Sequence, residues 1–407
     1  MVSFEDNYRN CEIKEDGLYL YDSDYSAAYV YAHSLLKAVN DTINQNSHLA
    51  CVTTNVAHAY ENQSKNKFSV FLGLENGSPI GESFDNLHSF YRSGVRYVTL
   101  CHSGNNQICD SCATAVKTWG GLSPFGKELV AEMNRIGMLI DVSHVSDDTF
   151  YDVLKYSSRP VVATHSCCRA ICGHPRNMTD DMIKALADAG GVIQINFYPL
   201  FIDGGFASIL EESGIEERNE GVEAQFIACP SDPLKRAAWN AVQDELMALP
   251  RPSYKRVVDH IDHAVSIAGI DHVGIGSDFD GIEVTPDGLE DISFMPLIFD
   301  EMRGRGYSEE DIEKVVDDFA KEYLVVNLDE VYATENLRYS IVAKNIPREV
   351  AEKIAESGTK LIITVDTGIT AAEEVETSKS LGMDIIVTDH HLCTGNIPDT
   401  ITVNPQR

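Results

Sequence analysis

Five polar side chains in this chain of 407 residues sit where chemistry could be done, each at or just past the end of a short apolar run. Glu75 follows SVFLGL, His102 comes two residues after VRYVTL, His144 closes IDVSH, His165 closes VVATH and Asp278 follows HVGIGS. Imidazole nitrogens and carboxylate oxygens are the donors that Zn²⁺ takes in tetrahedral or five-coordinate geometry. A glutamate can also bridge two metal ions about 3.5–4 Å apart, which activates a shared hydroxide. Any one of these residues alone would be an ordinary hydrogen-bonded polar group. Glu75, His144, His165 and Asp278 together at strand ends point instead to metal-assisted hydrolysis.

The elements that must position them are legible. Ser69–Leu74, Val95–Leu100, Met138–Val142, Pro160–Thr164, Val192–Phe197 and His272–Ser277 are short, apolar on both faces and rich in β-branched residues. That composition predicts buried parallel strands. Between them run capped amphipathic helices. Ser123 before Pro124 reads as an N-cap and first helical residue, and Gly137 as the helix end. Thr179 opens another helix, and residues 28–43 show helical spacing of Ala28, Ala32, Leu35, Leu36, Val39 and Ile43. Six βα repeats predict a parallel barrel or a doubly wound sheet, and barrel enzymes carry their chemistry at the C-terminal strand ends.

Composition narrows the class. The 32 basic and 63 acidic residues leave a formal charge of −31, which repels phosphate backbones and anionic lipids. No apolar run reaches the ~18 residues of a membrane helix, and residues 1–20 lack the pattern of a secretory signal. A cytoplasmic protein with reduced thiols is therefore expected. Cys109 and Cys112 have CxxC spacing, but a structural zinc site needs four convergent ligands, and Cys167, the next cysteine, is 55 residues on.

GLENG (73–77), RYVTLCHSGNNQICDS (96–111), GLSPFGKELVAEMNRIGMLIDVSHVS (121–146), VVATHSCCRAICGHPRN (161–177), VIQINFYP (192–199) and HIDHAVSIAGIDHVGIGSDFDGI (260–282) resemble the membrane (renal-type) dipeptidase family. The resemblance implies an α/β class protein, a (β/α)8 metal-hydrolase barrel that cleaves dipeptides with two zinc ions through a metal-bound hydroxide. It implies Glu75 as the bridging ligand and His144 and His165 as ligands of the second zinc. His102 would contact the scissile carbonyl, Arg176 would clamp the substrate carboxylate, and Asp278 would act as general acid and base. The family also carries a His-x-Asp pair on its first barrel strand. Here His33, His48 and His58 are the histidines before Glu75, and none has Asp two residues on. His260-Ile-Asp262 lies in a helical stretch, where a surface or packing role is expected. The barrel is thus expected to lack its first one or two strands. The dipeptidase would be impaired and would hold one zinc at Glu75, His144 and His165 rather than two.

Residues 360–392 resemble a different family, the DHH phosphoesterases close to RecJ-type single-strand exonucleases. Asp366, Asp389, His390 and His391 match its metal positions, which implies Mn²⁺ or Mg²⁺. Strands are predicted at 360–365, 384–388 and 401–403, with a capping box at Thr370 and Glu373. The expected domains are a divergent segment 1–24, the barrel 25–318, a junction 319–345 and a partial DHH-like α/β unit 346–407. From Val325 onward 7 basic and 13 acidic residues give 7 − 13 = −6, so no nucleic-acid partner is expected. The expected partners are a small dipeptide and a second copy paired through the barrel's open edge, without a membrane. A catalytically inactive fusion or truncated gene product, and a DHH-type nucleic-acid phosphoesterase, are the alternatives that the sequence keeps open.

Overall fold

The protein is described by a computed structural model covering residues 26–322 apart from 230, 231 and 280, and then 338–340, 359–365, 376, 379–382, 384–388 and 401–403. By its internal contacts it divides into two units. The first holds the described residues through Asn196, with His260–Gly276 and the stretch from Glu313; the second holds Phe197–Asp259, Ser277–Ile312 and the described tail.

In the first unit, helix Ser26–Gln45 buries Ala28, Ala32 and Leu36 on one face. Strand β1 (Ala50–Val52) then pairs in parallel with β2 (Phe68–Val70). After Phe71, β3 (Leu72–Glu75) begins a six-stranded sheet with β4 (Val95–Thr99), β5 (Leu139–Asp141), β6 (Val162–Ser166), β7 (Val192–Ile195) and β8 (Val273–Ile275). Every pairing is parallel and the strand order is the sequence order. That is the order of a barrel wall, and it contains five of the expected strands and part of the sixth: the run Ser69–Leu74 is split, with Ser69 and Val70 in β2 and Leu72–Leu74 in β3. Among the described residues β3 pairs only with β4 and β8 only with β7.

The intervening helices start where their caps predict. The Ser123 hydroxyl accepts from Gly126 N–H, and Gly137 ends helix Pro124–Ile136 in a left-handed conformation that a side chain would strain. Thr179 caps Asp180–Asp188 through Met182 N–H. Ser308 caps the helix from Glu309 through Asp311 N–H. The sheet core is filled by residues such as Leu74, Val98, Ile140, Ala163 and Ile193, all essentially inaccessible to solvent.

The second unit contains helices Gly204–Ser213, Ile215–Ala228 and Pro233–Met247, packed around Phe206, Leu210, Ile215, Val242, Leu246 and Val284. The tail forms a separate parallel sheet of β9 (Arg338–Ser340), β10 (Thr359–Val365), β11 (Asp384–Thr388) and β12 (Ile401–Val403), in the order β12-β11-β10-β9. Three of these strands match the sequence expectation. The fourth, β9, lies within the stretch 319–345 read as a junction. The capping box at Thr370 lies outside the described residues.

Candidate metal centre

Four successive strands of the first unit deliver one polar group each. Glu75 is the last residue of β3. The turn after it is fixed by Asn76, whose Oδ1 accepts from Ser78 N–H, the Ser78 hydroxyl and Asn106 Nδ2. His102 lies three residues past β4, His144 three past β5, and His165 within β6. The loop after β4 braces two of them: the Ser111 hydroxyl donates to the carbonyl of His102 at 2.5 Å, and Cys112 N–H donates to that of His144 at 2.9 Å. That loop is itself wound around buried Asp110, whose carboxylate accepts the backbone N–H groups of Thr118, Trp119, Gly120 and Gly121.

The side chains meet at one point. Glu75 Oε1 lies 3.2 Å from Nε2 of His165, 3.3 Å from Nε2 of His144 and 4.0 Å from Nε2 of His102. The Nε2 atoms of His144 and His165 are 2.8 Å apart, and the rings of His102 and His144 stand 4.1 Å apart. Glu75, His102 and His144 place one donor atom each within 4.8 Å of the others, and no other such group occurs among the described residues. His102, expected as a catalytic contact to the scissile carbonyl and not as a ligand, thus stands among the candidate ligands.

The electrostatics suit a cation. Burial pushes the Glu75 carboxyl up, but the imidazoles of His144 and His165 beside it outweigh this and hold the group well below the usual carboxylate range. Burial pulls His102 down to about 4, against the opposing charge of Glu75, and the Arg176 guanidinium adds to the fall. Burial and then Arg176 push His144 well below its ordinary value. At neutral pH the centre therefore holds the Glu75 carboxylate beside neutral imidazoles at His102 and His144, the protonation state that ligation needs. This donor set fits Zn²⁺ in a single site.

Backbone geometry marks two of these turns. Among the described residues four non-glycine residues have left-handed φ values; Asn76 (73°), directly after Glu75, and His144 (69°) are two of them in the first unit, and Asp278 (62°) is one in the second. Such strain collects at functional sites. Arg176 is buried and donates Nη1–H to the Ser166 hydroxyl at 2.9 Å. Asp278 lies three residues past β8 and belongs to the second unit.

Two sequence features resolve as packing. His260 is fully buried in helix Lys255–Ala268, where its Nδ1 accepts from Cys168 N–H at 3.0 Å. The Cys109 thiol is buried against Cys101, and burial pushes it well up; burial likewise takes Cys112 to about 11. Neither cysteine joins a group of three ligating side chains among the described residues. Asp366, Asp389, His390 and His391 lie outside the described residues.

One buried residue was missed: Asp141, which ends β5 with no exposed surface. The signal was an acid inside MLIDV, a run otherwise apolar. A carboxylate buried there must be surrounded by donors.

A consecutive parallel α/β wall gathering a carboxylate and imidazoles at its C-terminal strand ends has the architecture of the barrel metal hydrolases. The sequence model of the membrane dipeptidase family, peptidase family M19, matches residues 18–320, and the chain belongs to that family. The dipeptidase verJ of Clonostachys rogersoniana is 32% identical over 284 residues, 70% of this chain and 60% of that protein. The dipeptidase tcpJ of Claviceps purpurea is 35% identical over 250 residues, 61% of this chain and 49% of that one. The chain thus spans about half to 60% of the length of these curated relatives. Among solved structures, the probable dipeptidase PvdM from Pseudomonas aeruginosa superposes with a TM-score of 0.62 at 26% identity, covering 73% of this chain and 79% of that one. A metallo peptidase from Rhodobacter sphaeroides, liganded with a phosphinate mimic of the dipeptide L-Ala-D-Ala, gives 0.52 at 25% identity, covering 67% of each. The model of the DHH family N-terminal domain matches residues 241–407, beginning well before 346 and overlapping the dipeptidase match over 241–320. No helix among the described residues is long and apolar enough to cross a membrane.

Proposed function

We propose that the chain is a zinc-dependent dipeptidase acting at Glu75, His102, His144 and His165. The observation that carries this reading is the convergence of three imidazole nitrogens on one buried carboxylate oxygen at the strand ends. Glu75, His144 and His165 would hold the ion, with His102 at its side. A zinc ion there supplies a polarised substrate carbonyl and water of lowered pKa. Arg176 binds the free carboxylate of the dipeptide, in keeping with its burial and with the guanidinium charge felt at His102 and His144. Asp278 takes the proton of the attacking water and returns it to the leaving amine.

The test is release of free amine from L-Ala-D-Ala and L-Ala-L-Ala by chelator-stripped protein, with and without added zinc. Zinc should restore turnover in the native chain and not in Glu75→Gln. Bound zinc without turnover on any dipeptide would refute the catalytic reading. It would favour a second one, a metal-binding but inactive chain, supported by the lack of a His-x-Asp pair before Glu75. The tail's resemblance to DHH phosphoesterases supports a Mn²⁺ or Mg²⁺ site there, without a nucleic-acid role on a segment of net charge 7 − 13 = −6. We place the protein in the cytoplasm from its thiol-rich composition.

A further inference from the structure

Asp141 is a fully buried carboxylate that touches none of the candidate ligands directly, yet four donors are spent on it. Its Oδ1 accepts the N–H of Ser143 at 2.9 Å and of Thr164 at 3.0 Å. Its Oδ2 accepts the hydroxyls of Thr99 and Thr164, both at 2.6 Å. These O–H···O distances are those of hydrogen bonds to an ionised carboxylate. The Thr164 hydroxyl in turn lies 2.7 Å from Nδ1 of His165.

Proton bookkeeping then fixes the imidazole. A threonine hydroxyl has one proton, and that of Thr164 is committed to Asp141. Toward His165 the same oxygen can only accept, so Nδ1 carries a proton, and in the neutral ring Nε2 then presents its lone pair. Nε2 is the atom that faces Glu75 and His144.

We propose that Asp141 is a positioning residue, acting through the Thr164 hydroxyl to hold His165 as the Nδ1–H tautomer with Nε2 free for a cation. The proposal deepens the reading of a metal centre and rests on it for its purpose. A carboxylate behind a ligating histidine is a common second layer of metal sites, and its loss typically lowers metal affinity about 10–100-fold. Here the carboxylate works at one remove, across a hydroxyl. The Ser143 hydroxyl, which accepts His165 N–H at 3.1 Å, ties the backbone of the ligand to the same cluster.

The experiment uses ¹⁵N-histidine-labelled full-length protein, and long-range ¹⁵N NMR reads the tautomer of His165 in the metal-free state. Competition against a chromophoric chelator reads zinc affinity separately. The native protein should show Nδ1–H at His165. Thr164→Val should shift the proton to Nε2 and weaken zinc about 10–100-fold, while Thr164→Ser should restore both. If Thr164→Val does not fold, Asp141→Asn carries the same test. The amide that this substitution introduces would donate to the Thr164 oxygen, turn the hydroxyl proton toward Nδ1, and again move the ring proton to Nε2. A folded Thr164→Val or Asp141→Asn protein that keeps the Nδ1–H tautomer overturns the proposal. Failure of the native chain to bind zinc would sink the metal reading, whereas the tautomer in the metal-free protein decides the relay independently.

Discussion

Gly276 follows β8 by one residue and lies against the β6 backbone. A Cβ placed there would sit 2.1 Å from the carbonyl oxygen of Thr164 and 3.0 Å from Cβ of Gln194. An unstrained carbon–oxygen contact is about 3.3 Å, so Gly276→Ala requires β8 and β6 to part by about 1.2 Å. Backbone on one side and a packed strand on the other leave nothing flexible to give. Overpacking of this kind costs about 1–3 kcal/mol, and we expect the upper end. The displaced carbonyl directly precedes His165, so the shift also reaches the candidate ligands. Gly191→Ala is the control: its Cβ would meet the Val161 carbonyl oxygen at 2.4 Å, just before β6 and β7 begin, at the opposite end of those strands from the ligands. Urea unfolding should show losses of similar size for both variants, and chelator competition should show weakened zinc binding only for Gly276→Ala. A Gly276→Ala protein of native stability, or equal zinc affinity in the two variants, would refute the reasoning.

Arg176→Ala should mainly raise KM for dipeptides, because a carboxylate is bound alike in ground and transition states, and the native chain should spare dipeptide amides; equal cleavage of a dipeptide and its amide contradicts this. His33, packed on the Phe90 ring at 4.6 Å, has its pKa lowered by burial. The folded state thus resists protonation more than the unfolded one, so this contribution is complete above the unfolded value of about 6.5 and is lost as pH falls below it; urea midpoints at pH 7.5 and 5.5 should differ less in His33→Leu than in the native chain. Gly221→Ala, in helix Ile215–Ala228 with nothing within 4 Å of the new Cβ, should stabilise by about 0.5–1 kcal/mol in the same assay. Light scattering on a sizing column should show a dimer through the outer edges of β3 and β8, which have no strand partner among the described residues, and a monodisperse, thermostable monomer would show that they are covered otherwise.

The six strands β3–β8 could be read from the sequence because strands buried on both faces leave an unbroken apolar signature. Glu75, His144 and His165 could be read because a polar residue directly after such a run stands out. β1 could not: Ala50–Val52 is three residues long and half-buried throughout, so neither alternation nor an apolar run announces it. β9 was hidden in the same way, as Arg338–Ser340 is polar at both ends. Asp141 escaped because its partners, Thr99, Ser143 and Thr164, come from three different strands or strand ends and meet only in the fold. His102 showed its position in the sequence but not its company, since its approach to Glu75 depends on the loop wound around Asp110.

The left-handed backbone at His144 puts stability and function in opposition at one position. A side chain in that conformation costs about 1–3 kcal/mol, and glycine would relieve it. Selection for thermal robustness alone would therefore drive residue 144 toward glycine and dismantle the centre as it succeeded. A stabilised descendant of this chain that still carries histidine there would have drawn its gains from elsewhere in the sheet. Position 144 is accordingly where a library screened first for folding and then for zinc binding should give opposite rankings.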